Sequence, residues 1–211
     1  MNILVIGANG KVGRHLVEIL SEQGHKVNAM IRSRDQAENI KKLGGNPVIG
    51  NLEEEISTFF FHTDAVIFTA GSGGHTSPDK TILIDLLGAM KSIDESVKHG
   101  VDRFIMVSAI GANNPSEAIE KMRHYFVAKA EADKYLVKSG LNYTIFRPGR
   151  LTEEPATGKI AIQNNSETLQ TTSREELALA ISKSLEQPKT YKKTIDILDG
   201  ETPIDEAFNN L

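Results

Sequence analysis

The sequence predicts an open, doubly wound α/β fold built on a parallel sheet. Three observations carry this. Six short apolar runs rich in Val, Ile and Phe alternate with segments of helical periodicity. A glycine loop joins the first run to the first helix. The chain has 211 residues, the size of one domain.

Residues 2–6 (Ile3, Leu4, Val5, Ile6) form a continuous apolar run bounded by glycine, as a strand buried on both faces should be. Residues 11–23 place Val12, Leu16, Ile19 and Leu20 on one helical face, and Gly24 stops that helix. A second strand is predicted at 27–31, a helix at 35–43 and a third strand at 47–49, after Gly44-Gly45. Asp35 is expected to cap the second helix. A short helix at 54–61 precedes a fourth strand at 65–70, and Phe59-Phe60-Phe61 reads as core. One long helix over 78–99 is closed by Gly100, and a fifth strand follows at 103–108. A further long helix over 119–139 is closed by Gly140 and leads to a sixth strand at 143–147.

The last third is more polar. Strands are expected at 159–163 and 194–198. Ser173-Arg-Glu-Glu176 matches a capping box and starts a helix reaching about residue 185. Residues 1–211 thus form a single domain, with about 150–211 making a small lobe on the substrate side.

Composition excludes several classes. There is no cysteine, so disulfides, thiolate catalysis, Fe–S clusters and Cys-ligated zinc are ruled out. The six histidines show no H-E-x-x-H spacing, and no metal site is expected. Charge is mixed, with a net value of -4, which argues against a nucleic-acid partner. No apolar run reaches the ~18 residues of a membrane span. The first residues read as a core strand rather than a cleavable leader, so the cytoplasm is the expected compartment. Monomer and dimer stay open.

Open α/β sheets bind ligands beyond the carboxyl ends of their strands, at the topological switch point. Residues just after strands are therefore the functional candidates. Gly7-Ala-Asn9-Gly10-Lys11-Val12-Gly13 lies there. Gly7 permits the sharp turn, Gly10 lets backbone amides approach a pyrophosphate, and Gly13 lets helix and strand pack closely. The helix N-terminus adds unpaired N–H groups and partial positive charge for the anion. After the second strand, where an acid would grip an NAD ribose, stand Arg32, Ser33 and Arg34. Two guanidiniums and a hydroxyl suit the 2′-phosphate of NADP.

Ser108 closes the fifth strand. Tyr125 and Lys129, four residues apart, share a helix face. The ammonium is expected to lower the phenol pKa, so that Tyr125 passes a proton to a carbonyl oxygen that Ser108 orients. Residues 71–78 (GSGGHTSP) are expected to form a lid beside the cofactor.

In this order the Gly7/Gly10/Gly13 loop, Arg32, Ser108, Tyr125-x-x-x-Lys129 and Arg147-Pro148-Gly149 resemble the short-chain dehydrogenase/reductase superfamily. The likeness is closest to its small atypical branch of NmrA-like, epimerase-like NAD(P)-binding proteins. The resemblance implies a Rossmann fold and bound NADP, with Pro148 and Gly149 on the cofactor. Asn51-Leu52 resembles the family's Asp-Leu at the adenine, and Ala70-Gly71 its cofactor-lining Ala-Gly. Asp85 takes the helix position where catalytic members carry asparagine. An NADP(H)-dependent reductase or epimerase acting on an unidentified small carbonyl compound is the leading expectation. A non-catalytic NADP(H) sensor and a flavin or quinone reductase are the alternatives.

Overall fold

The computed structural model describes residues 1–74, 76–162 and 171–211. The six expected strands form as β1 (Asn2–Ile6), β2 (Lys26–Ile31), β3 (Asn46–Ile49), β4 (Ala65–Phe68), β5 (Arg103–Val107) and β6 (Asn142–Pro148). They pair in parallel in the order 3-2-1-4-5-6. Ile3 pairs with Val27 on one side and Ala65 on the other, so the winding reverses between β1 and β4. That reversal is the crevice where doubly wound sheets hold ligands.

β1 shows why both faces are buried. Ile3 and Val5 join one core with Leu16 and Leu20 of α1 (Lys11–Glu22) and with Leu177 and Ile181 of a later helix. Leu4 and Ile6 point the other way, into a core with Phe68, Phe104, Ile93 and Leu136. A period of two along the strand thus feeds two helix layers.

Several elements differ from expectation. Arg34–Gln36 is a 3-10 turn and α2 spans Ala37–Lys42, with Gln36, not Asp35, at the cap position. Asp35 instead accepts the Ser33 hydroxyl. The helix expected at 54–61 shrinks to a 3-10 turn at Ser57–Phe60. Glu55 Oε1 takes the N–H groups of Ile56 and Ser57 at 3.0 and 2.8 Å, and Lys91 Nζ holds the Leu52 and Glu54 carbonyls, so the chain turns late. Phe60 is buried, but Phe61 is exposed and meets His99 edge-on. The helix expected over 78–99 comprises α3 (Pro78–Lys80), a π-helical stretch Thr81–Gly88 and α4 (Ala89–Lys98). The wider π turns carry Asp85 at their middle. α5 spans Glu120–Lys138.

The C-terminal region extends the sheet. β8 (Lys159–Ile162), β10 (Lys193–Asp199) and β11 (Thr202–Pro203) add to the β6 edge, β10 parallel and β8 and β11 antiparallel. Gln163, the last residue of an expected strand, lies outside the described residues. β7 (Arg150–Thr152) and β9 (Thr171–Ser173) form a separate parallel pair. α6 (Arg174–Ser184) starts as predicted, with the Ser173 hydroxyl accepting the Glu176 N–H. The return half of the box does not form. Glu176 Oε2 takes the Thr157 and Gly158 N–H groups, and Asp199 takes that of Ser173. α7 (Ile204–Asn209), not expected from the sequence, seats Phe208 against Phe146. Among the described residues no helix is long and apolar enough to cross a membrane.

Candidate functional site

At the switch point a cleft of about 240 Å³ opens beyond β1 to β4. Its floor is the glycine loop. Gly7 has φ +87°, and a side chain there would put Cβ 2.6 Å from the Ala70 nitrogen. The Gly10 N–H bonds back to the Gly7 carbonyl at 2.9 Å. At Gly13 a Cβ would sit 2.4 Å from that same carbonyl, so helix and loop touch through backbone. The first turn of α1 has no side-chain cap and no acid, which leaves its N–H groups to an incoming anion.

Of the residues expected to hold cofactor, Gly7, Asn9, Gly10, Arg32, Leu52, Ala70 and Gly71 line this cleft. Gly13 packs behind the loop. The side chains of Lys11 and Val12 point elsewhere, Lys11 to Glu153 at 2.5 Å and Val12 into the core. Neither of these two residues lines the cleft. The Ser33 hydroxyl is taken by Asp35, and Arg34 is exposed on its turn. Asn51 closes its own turn on the Glu53 N–H, so Leu52 and Gly50 take the wall expected of it. Pro148 is buried at the end of β6, and the Gly149 N–H goes to Thr172 Oγ1 at 3.0 Å. Gly50, Thr69, Gln36 and Ile84 line the cleft without having been singled out. The rule of looking just after strands reaches Gly50 and Thr69. Gln36 and Ile84 arrive on helical segments and leave no local signal.

The donor set fits a dinucleotide phosphate. Arg32 faces the cleft, and neither it nor Arg34 has an ion-pair partner among the described residues. No carboxylate lines the cleft beside the end of β2.

Beyond β5 lies a second, polar cluster. Ser108 and Lys129 are both 3% exposed. Lys129 Nζ donates to the Val107 carbonyl at 2.7 Å. Ser108 Oγ donates to Asp133 Oδ2 at 3.0 Å, and Arg147 grips the same carboxylate at 2.8 Å. Tyr125, half-buried, stands one turn before Lys129 on α5. The lowered phenol pKa expected for it does not occur. Burial pushes Tyr125 upward, and the Asp85 and Asp133 carboxylates add to that rise. The Lys129 ammonium is spent on a backbone carbonyl, and burial lowers its own pKa against the pull of Asp85 and Asp133.

Asp85 is 1% exposed, and its Oδ2 accepts the Ser72 N–H at 2.9 Å. It therefore anchors the start of the 71–78 loop, of which His75 lies outside the described residues. None of Ser108, Tyr125 and Lys129 lines the cleft. Asp133 escaped the sequence reading, although its place one turn after Lys129 puts it on the same helix face. Among the described residues no group of three His, Asp or Glu is placed to hold a metal.

A glycine loop on a helix N-terminus, at the reversal of a 3-2-1-4-5-6 sheet, defines a Rossmann dinucleotide-binding protein. The model of the NAD(P)H-binding family matches residues 7–188, and the chain belongs to that family. It is 42% identical to an uncharacterized sugar epimerase of Bacillus subtilis (strain 168), over the full length of both chains. A solved Bacillus halodurans protein, provisionally described as an NAD-dependent epimerase/dehydratase, superposes with TM-score 0.96 at 46% identity, covering 100% of each chain. The oxidoreductase ylbE of Lactococcus lactis superposes with TM-score 0.88 at 33% identity, over 100% of this chain and 96% of its own. The protein is thus an NAD(P)-binding member of an epimerase- and oxidoreductase-like family.

Proposed function

We propose that the protein is an NADP(H)-dependent oxidoreductase that reduces a carbonyl group of a small molecule. One observation supports the choice of NADP above all. Arg32 lines the cleft at the end of β2 with no ion-pair partner among the described residues, and no acid occupies the place of a ribose-binding carboxylate. When bound, NADPH supplies a hydride to the carbonyl carbon. Every other role falls to the chain. The α1 N-terminus and Gly10 cradle the diphosphate, and Arg32 meets the 2′-phosphate. Tyr125 carries its proton at neutral pH as an ordinary phenol does, while burial and two carboxylates make it a weaker acid. In this reading it gives that proton to the carbonyl oxygen as the alcohol forms, and water returns it.

NADPH and NADH titrated by calorimetry on wild type and Arg32→Ala test the cofactor assignment. Loss of one charge-assisted contact costs about 1.5–3 kcal/mol, or roughly ten- to hundredfold in NADPH affinity. Equal affinity of the wild type for both cofactors refutes it. NADPH oxidation across aldehydes, ketones, quinones and flavins tests the chemistry. Tyr125→Phe should lower carbonyl turnover by roughly 10²–10⁴ and leave quinones and flavins almost untouched. A second reading, an NADP(H) sensor, draws on the absence of Ser108, Tyr125 and Lys129 from the cleft lining. Binding without turnover of any acceptor would favour it.

A further inference from the structure

The cleft itself constrains where the base of a dinucleotide can lie. The diphosphate belongs on the first turn of α1, and the adjoining ribose at the end of β2, where Arg32 lines the cleft. Adenine is joined to that same ribose, so it takes the part of the cleft next to Arg32, walled by Met30, Gly50 and Leu52. Met30 and Leu52 are buried apolar side chains. At Gly50 a Cβ would sit 2.6 Å from the Phe59 ring and 2.7 Å from Met30 Cε, so the wall there is bare backbone. Such apolar walls suit the faces of a purine and leave its polar edge to a few placed side chains.

The polar side chains of the lining are Asn9, Arg32, Gln36 and Thr69. Asn9 belongs to the glycine loop, at the diphosphate. Thr69 spends its hydroxyl hydrogen on the Ile6 carbonyl at 3.1 Å. Arg32 can only donate. Gln36 is the exception. It is half-buried at the start of α2, its side chain does not cap that helix, and its amide makes no hydrogen bond among the described residues. A glutamine amide presents a donor and an acceptor side by side. Adenine presents the converse, a 6-amino donor beside ring-nitrogen acceptors, and glutamine reads adenine in DNA through that pairing. Asn51, which the resemblance sets at the adenine, is spent within its own turn: its Oδ1 takes the Glu53 N–H at 3.1 Å, and its Nδ2 donates to Glu54 Oε1 at 3.2 Å.

We propose that Gln36 is the specificity-determining residue for the adenine of the cofactor, its amide donating to a ring nitrogen and accepting from the 6-amino group. The inference rests on dinucleotide binding in this cleft, and neither on the choice of NADP over NAD nor on carbonyl reduction. A dinucleotide whose base lacks the 6-amino group leaves the Gln36 amide oxygen without its donor, which weakens binding.

The test is calorimetric titration with NADPH and with its analogue carrying unsubstituted purine in place of adenine. Wild type should bind NADPH roughly three- to tenfold more tightly, the worth of one net hydrogen bond. Gln36→Met keeps the reach of the side chain and removes both amide groups, and should bring the ratio close to one. Its melting temperature should match wild type, since the side chain caps nothing. Asn51→Ala should leave the ratio as in wild type. A wild-type ratio near one, a ratio that survives Gln36→Met, or one that Asn51→Ala erases overturns the proposal. NADH and its purine analogue, titrated alongside, separate the readings. If Gln36→Met loses the preference for NADPH over NADH and keeps the adenine ratio, Gln36 serves the 2′-phosphate and the proposal is overturned. A wild type that binds NADH as tightly as NADPH refutes the NADP assignment, and the adenine ratio still decides the role of Gln36. A wild type that binds none of the four refutes both.

Discussion

Gly10 and Gly13 should fail in different ways when each is replaced by alanine. At Gly13 the added Cβ would lie 2.4 Å from the Gly7 carbonyl oxygen and 2.8 and 2.9 Å from Ala8 backbone carbons. All three neighbours are backbone, so loop or helix must retreat by about 1 Å, the kind of overpacking that costs ~1–3 kcal/mol. For a chain of this length that is a melting-temperature loss of about 2–12 °C. At Gly10 the same methyl meets only the Gly7 oxygen, at 3.1 Å, and otherwise points into open space. The backbone there, φ -65° and ψ 163°, is one alanine adopts freely. Stability should therefore change by less than about 1 kcal/mol, since reduced freedom of the unfolded chain offsets the poorer cap. Yet Gly10 lines the cleft, and its methyl would stand where a diphosphate must approach the amides. NADPH affinity should fall roughly 10- to 100-fold, or ~1.4–2.8 kcal/mol. Differential scanning calorimetry and calorimetric NADPH titration on both variants measure the two axes. A Gly10→Ala protein that melts and binds NADPH like wild type would refute the placing of the diphosphate on this loop. A Gly13→Ala protein as stable as wild type would refute the packing argument.

Arg103, at the far end of β5, donates to the Asn142, Ser184 and Leu185 carbonyls and to Thr144 and Thr190 hydroxyls, with its guanidinium 4.5 Å from the Tyr191 ring centre. Arg103→Met leaves these buried acceptors without their donor and should cost about 1–3 kcal/mol or more in urea unfolding, while NADPH affinity below the transition stays unchanged. The Tyr125 phenol titrates above its ordinary value of 10, so the unfolded chain ionises there first and stability falls as pH rises past 10. Tyr125→Phe should flatten that alkaline decline, read as the urea midpoint between about pH 9 and about pH 11. Asp85→Leu removes the acceptor of the Ser72 N–H, and limited proteolysis should cut the loop after β4 faster than in wild type.

What the sequence determined by itself was local in origin. β1 and the first helix follow from side-chain period within a few residues, and Gly24 ends that helix at φ +81° as its lack of a Cβ permits. The glycine loop is legible for the same reason, since each glycine answers a constraint set within the strand–turn–helix unit. The parallel sheet of β1 to β6 follows from the alternation of strand and helix, while its order 3-2-1-4-5-6 is set by the fold.

Tertiary structure decided what depends on residues far apart in the chain. Ser108 meets Asp133 across 25 positions, and Arg147 meets Asp133 across 14. No local pattern announces that a helix carboxylate will take the hydrogen of a strand-end serine. The Tyr125 pKa rises instead of falling because burial disfavours tyrosinate, and the Asp85 and Asp133 carboxylates, brought from the π-helical stretch and the next turns of α5, add to the rise. Lys11, counted with the cofactor-binding loop from its place in the sequence, turns to Glu153, which lies 142 positions away. β8 joins the sheet by pairing with β10, and β11 takes the edge by pairing with β8, contacts that come from distant strands rather than from their own few side chains. Backbone geometry is dictated by neighbours in sequence, so the cofactor cradle could be read directly. Charge and hydrogen-bond polarity are dictated by neighbours in space, so the chemistry of Ser108 and Tyr125 had to await the fold.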